Sequence, residues 1–146
     1  LLAGKSLFQI ISLSTQDPSP PFYYLLLHFW MILFGNSEVA IRLFSLFCHF
    51  GTVAVIFLIA GKLFRSYYSQ IIVAFVTLIN PFLLQYAFEA RSYSLVVFLS
   101  VTALYFIQLK RSLVAGLFLA LAMFSHNFAI PTFFVVVAWW LFVNRK

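Results

Sequence analysis

The sequence predicts an all-α fold: a polytopic transmembrane helix bundle, with interfacial helices ahead of the first complete span. Three observations carry this. Of 146 residues, 64% are hydrophobic and only 8% charged, against about 25% charged in a soluble domain, so an ordinary water-facing surface cannot be built. Residues 39–60 read as a full-length span, long enough for the roughly 20 residues a bilayer crossing needs. All nine basic and three acidic residues fall at segment ends or within about a turn of them; at the bilayer centre each would cost ~2.5–3.5 kcal/mol.

In chain order, residues 1–14 place Leu7, Ile10, Ile11 and Ser14 on one helical face and Lys5, Gln9 and Ser12 around the other. This predicts a short helix lying in the interface. Pro18, Pro20 and Pro21 then forbid regular helix. Residues 22–34 are apolar but too short to span. They carry Tyr23, Tyr24, His28 and Trp30, and amphipathic aromatics gather at membrane boundaries. A second interfacial or re-entrant helix follows, stopped at Gly35. Asn36-Ser37-Glu38 is a helix start, with a capping residue and an acid favoured by the helix dipole. Glu38 and Arg42 can pair at i, i+4.

Lys62 and Arg65 mark a short loop over 61–69. Residues 70–88 form the next span, kinked at Asn80-Pro81. Residues 93–109 return, ending at Lys110-Arg111. Residues 113–124 are short for a span. Ser125-His126-Asn127 breaks the helix, and 128–143 follow with Pro131 in the first turn. The expected division is 1–37, a loop with interfacial helices, and 38–146, about four to five membrane helices. The chain opens at Leu1 in mid-pattern, so a piece of a longer protein is expected.

The net charge of +6 is scattered and forms no basic stripe, so no nucleic-acid partner is expected. It reports topology instead. Lys62, Arg65, Lys110, Arg111, Arg145 and Lys146 fall on one side and make it cytoplasmic; Lys5, Arg42 and Arg91 fall on the other. Asp17, Glu38, Glu89, Arg91 and His126 are then extracytoplasmic, and all three acids share that face. Cys48 is the single cysteine and cannot form an internal disulfide or a thiolate metal site.

Acids at one membrane face suit a base or a divalent cation, arginines suit a phosphate, and aromatic belts suit a lipid tail. Together they fit a lipid-linked phosphate substrate, although charges at helix ends also arise simply as caps. Glu89 and Arg91, two residues apart, point away from each other on a helix and are expected to meet different partners. Tyr86, Glu89 and Tyr93 share a face on that helix. His126 reads as a boundary residue. No metal-ligand spacing, nucleophile motif or phosphate-binding glycine loop is present.

Four stretches carry a resemblance. Asp17-Pro18-Ser19-Pro20-Pro21-Phe22-Tyr23-Tyr24-Leu25-Leu26-Leu27-His28 resembles the D-x-H-P-P-L-Y-Y-L-L-L-H stretch of bacterial membrane glycosyltransferases of the dolichyl-phosphate-mannose protein mannosyltransferase-like group, within the C-type glycosyltransferase superfamily. Leu33-Phe34-Gly35-Asn36-Ser37-Glu38-Val39-Ala40-Ile41-Arg42-Leu43 is similar to its L-F-G-x-S-E-x-A-x-R-L. Glu89-Ala90-Arg91-Ser92-Tyr93-Ser94-Leu95 is similar to E-A-R-x-Y-x-L, and Ser125-His126-Asn127 to a T-H-Y/N step. The chain departs from the pattern at Ser19, where the family commonly has His.

The resemblance implies one membrane-embedded glycosyltransferase domain over 1–146, in the bacterial inner membrane. It implies sugar transfer from a polyprenyl-phosphate donor to a lipid, glycan or protein acceptor at the extracytoplasmic face. The catalytic acid is expected upstream of Leu1 and is not Asp17, so the chain alone is expected to be inactive. Substrate contacts are expected from Arg91 on the phosphate, from Glu89, and from Asp17, Tyr93 and His126 around the cavity. Membrane lipid and the polyprenyl-phosphate sugar are the expected partners; a divalent metal, the sugar and the oligomeric state stay open. The competing readings are a transporter subunit, which needs ionisable or broken-helix elements near the midplane, and a non-catalytic membrane scaffold.

Overall fold

A computed structural model of the chain describes residues 20–143. Among these residues all regular structure is helical, in seven helices: α1 Phe22–Phe34, α2 Glu38–Leu63, α3 Tyr67–Leu78, α4 Pro81–Ala87, α5 Tyr93–Gln108, α6 Ser112–Met123 and α7 Ala129–Val143. The expected helix over 1–14, Lys5, Asp17, Arg145 and Lys146 lie outside the described residues.

Local chemistry sets the boundaries. Gly35 stops α1 at φ 86, ψ 177, a region that essentially only glycine enters. Ser37 caps α2: its Oγ accepts from the Ala40 N–H at 3.1 Å, and Glu38 occupies the first turn. α2 is long and apolar enough to cross a membrane, and α3 with α4 passes the same test as a pair bent by 56°. Asn80 makes the bend, its side-chain oxygen accepting from the Leu83 N–H at 3.1 Å while Pro81 opens α4. The buried ring of His49 places Nε2 3.2 Å from the Leu78 carbonyl at the same bend. α5 ends in a Schellman motif. Lys110 N–H bonds to the Ile107 carbonyl and Arg111 N–H to the Phe106 carbonyl, both at 2.9 Å, with Lys110 at φ 58.

Two expectations are corrected. The loop expected over 61–69 is only 64–66, because α2 continues through Gly61 and Lys62 to Leu63 and extended Ser66 leads into α3. The helix expected to reach 88 stops at Ala87, and residues 88–92 are non-helical.

α5 is central, packed on α2 to one side and α6 to the other, while α2 also packs on α3. One core joins Tyr23, Leu27 and Met31 of α1 to Phe44 and Cys48 of α2 and Leu95 and Leu99 of α5. A second joins Ala103 and Ile107 to Ala115, Leu119 and Val136. Small residues let these helices approach closely. At Gly51 an added Cβ would stand 2.7 Å from the Phe98 ring. Trp30 Nε1–H donates to the Ala40 carbonyl at 2.8 Å and fixes α1 on α2.

Many large apolar side chains face outward, Leu113 at 93% exposure and Leu33 at 76% among them. Such a surface belongs in lipid, and these are helices of an integral membrane protein. The alternating run of helices puts Glu38, Arg42, Glu89, Arg91 and His126 at one end of the bundle. Lys62, Arg65, Lys110 and Arg111 stand at the other.

Candidate functional site

At the first of these ends, three helix junctions converge. The Phe22 N–H donates to the Phe124 carbonyl at 3.2 Å, pinning the start of α1 to the end of α6. That bond brings Tyr23 and Tyr24 beside the α6–α7 turn. Residues 88–92, between α4 and α5, close the third side. The hollow enclosed has a volume of about 260 Å³ and is lined by Tyr23, Tyr24, Arg91, Ser92, Tyr93 and His126.

The rings around it touch one another in series. Tyr93 lies 4.7 Å from Tyr86, 5.1 Å from His126 and 5.8 Å from Phe128, centroid to centroid. His126 stacks on Phe128 at 4.9 Å, and its Nδ1 accepts from the Phe128 N–H at 3.1 Å. The neutral ring therefore carries its proton on Nε2. Burial holds its pKa below the ordinary 6.5, since desolvation disfavours the cation. Below it, buried Ser125 is satisfied by the Leu121 carbonyl at 2.8 Å.

Arg91 stands on a ridge. It and Ala90 line both this hollow and a second, more open one of about 580 Å³ bounded by Asn36, Glu38, Arg42, Phe88 and Glu89. Glu89 and Arg91 pair with each other, Oε2 to Nε at 3.5 Å. This corrects the expectation that they meet different partners. The helical rule that separates positions two apart does not apply, because the chain has left the helix and the Arg91 N–H folds back to the Glu89 carbonyl at 2.9 Å. For the same reason, the helix face expected to group Tyr86, Glu89 and Tyr93 is not formed at Glu89; the Tyr86–Tyr93 contact instead spans the break.

A third cavity runs deeper. It holds about 540 Å³ between α2, α4, α5 and α7 and is walled mainly by apolar groups such as Phe82, Val97, Val101 and Leu104, with His49 and Ser100 among few polar ones. Tyr93 lines this cavity and the polar hollow alike, so it stands where the polar space meets the apolar one.

Of the sequence-predicted residues, Arg91, Tyr93 and His126 share one hollow, Glu89 joins through Arg91, and Asp17 lies outside the described residues. Tyr23, Tyr24 and Ser92 are not among the expected substrate contacts, although the stretches that contain them, 17–24 and 89–93, are. The tyrosine pair beside the prolines is the signal that points to them; Ser92 has none. Among the described residues, no three His, Cys, Asp or Glu side chains gather to hold a metal. No curated protein and no solved structure matches the chain. Residues 18–146 match the family described as dolichyl-phosphate-mannose-protein mannosyltransferase. With the polar hollow, the ridge and the apolar helices all inside that match, the chain belongs to the dolichyl-phosphate-mannose-protein mannosyltransferase family.

Proposed function

We propose that this chain is part of one membrane-embedded glycosyltransferase domain that moves a sugar from a polyprenyl-phosphate donor to a lipid, glycan or protein acceptor. The family match over 18–146 carries the reading; it supports membrane glycosyltransfer in general. The reaction occurs at the extracytoplasmic face of a bacterial inner membrane, with Asp17, Glu89 and His126 on that side. The alternation of basic residues supports this orientation.

In this reading the donor phosphate enters the polar hollow and its hydrocarbon chain the apolar cavity beyond Tyr93. The glycosidic C–O bond to phosphate breaks as the acceptor oxygen bonds to the same carbon. A carboxylate other than Asp17 takes the acceptor proton. The phosphate gains charge as it leaves, and the Arg91 guanidinium stabilises that charge. Glu89 orients Arg91 through their ion pair, and the Nε2–H of neutral His126 is a donor at the same rim.

The test is sugar transfer by the full-length protein, purified in lipid nanodiscs, from polyprenyl-phosphate mannose and then other polyprenyl-phosphate hexoses. Arg91→Ala should lower kcat/KM by about a hundredfold, the scale of losing one charge-stabilising donor. Unchanged transfer removes Arg91 from the site. No transfer by the wild type from any such donor overturns the reading.

A further inference from the structure

Arg42 stands outside the polar hollow yet is bonded to its rim. α4 ends at Ala87, and the last carbonyls of a helix have no helical partner. Two are taken locally: Leu84 accepts from the Phe88 N–H at 3.2 Å and Tyr86 from the Glu89 N–H at 3.3 Å. Tyr86 also accepts from Ser94 Oγ at 2.9 Å. The Phe88 carbonyl is taken from far away, by Arg42 Nη1 at 3.3 Å across 46 residues of sequence. Nη2 of the same guanidinium pairs with Glu38, one turn back along α2.

The arrangement suits arginine specifically. A cation at a helix C-terminus meets the negative end of its dipole. The forked guanidinium holds a carbonyl and a carboxylate at once, which the point charge of an ammonium does not. The segment held in this way has no helical ladder of its own, so its place depends on its two ends. One end runs directly into α5 at Tyr93. At the other end Ser94 holds the Tyr86 carbonyl and Arg42 holds the Phe88 carbonyl, the last before the ridge. Between them stands the ridge of Ala90 and Arg91 that divides the two hollows.

We propose that Arg42 is a positioning residue for the Arg91 guanidinium, acting through the Phe88 carbonyl, with Glu38 steadying only its second arm. The consequence for sugar transfer rests on the functional reading above; the tether itself does not.

Two measurements on the full-length protein test this. The first is maleimide labelling of a thiol introduced by Ala90→Cys, with native cysteines replaced by serine. Arg42→Ala should speed labelling about fivefold, the effect of losing one partly solvated hydrogen bond. Arg42→Lys should give a smaller rise, and Glu38→Gln should stay within about twofold. The second is kcat/KM with a polyprenyl-phosphate sugar, which should fall about tenfold in Arg42→Ala, recover partly in Arg42→Lys and hold in Glu38→Gln. If Arg42→Ala does not fold, Arg42→Lys carries both measurements.

Labelling unchanged in both Arg42 variants overturns the tether. Labelling raised equally by Glu38→Gln overturns the assignment to the carbonyl arm. Faster labelling with undiminished transfer overturns the positioning role. A wild type that transfers from no such donor fails the functional reading, while labelling still decides the tether.

Discussion

The rings of Tyr93 and His126 meet at a tilt across the junction of α5 with the α6–α7 turn, centroids 5.1 Å apart, and both residues line the polar hollow. The imidazole is held neutral there by burial and by its Nδ1 acceptor role toward Phe128.

A pH dependence follows. His126 has a folded pKa below its ordinary 6.5, so the unfolded chain binds the proton first as pH falls. The stability this group contributes is complete above the unfolded value and is lost as pH drops through the lowered folded value. Between about pH 7.5 and about pH 5, the thermal midpoint in micelles should fall further for the wild type than for His126→Phe. Equal falls in the two proteins would sink the claim that His126 is kept neutral by its surroundings.

At Gly51 of α2 the Phe98 ring of α5 fills the space a side chain would take. Alanine would help the isolated helix by about 1 kcal/mol, but any Cβ here meets a ring that is itself packed. Gly51→Val should therefore destabilise by about 1–3 kcal/mol, the usual range for overpacking. Made in a Phe98→Ala background, the same change should cost less than half as much, because the clashing partner is gone. Equilibrium unfolding in mixed micelles checks both; an equal cost in the two backgrounds would place the strain elsewhere.

Lys110 presents the opposite case, a side chain where the backbone asks for none. Its φ of 58 is the left-handed position of a Schellman motif, where a Cβ costs roughly 1–2 kcal/mol. Lys110→Gly should raise the thermal midpoint despite deleting a charge at a membrane boundary, with a gain of up to about 1 kcal/mol. A lowered midpoint would mean that the charge outweighs the strain.

The elements legible in the sequence were those whose causes are local. Gly35, the Ser37 cap and the Asn80-Pro81 bend each act within a few residues, and each stands where the sequence puts it. The end of α4 was not legible, because no proline or glycine marks it. Phe88 leaves the helix with its carbonyl held by Arg42 from another helix, and that bond has no sequence signature. The same departure reversed the reading of Glu89 and Arg91, whose pairing depends on the chain no longer being helical. Arg91, Tyr93 and His126 were identifiable as polar or aromatic residues at apolar boundaries. The cavity behind Tyr93 was not, since a void is set by how helices distant in sequence pack.

That cavity gives Tyr93 a role beyond packing. The residue lines both the polar hollow and the apolar space, and its ring is in contact with those of Tyr86, His126 and Phe128. If a donor phosphate sits on one side and its hydrocarbon chain on the other, the ring fixes where one ends and the other begins. Tyr93→Phe keeps those ring contacts and should leave kcat/KM within about threefold. Tyr93→Ala merges the two spaces, lets water reach the apolar one and should raise KM for the polyprenyl-phosphate donor about tenfold, with a smaller effect on kcat. Steady-state kinetics on the full-length protein in nanodiscs separates the two. A Tyr93→Phe variant as defective as Tyr93→Ala would show that the hydroxyl, not the ring, is what the site uses, and the partition argument would fail.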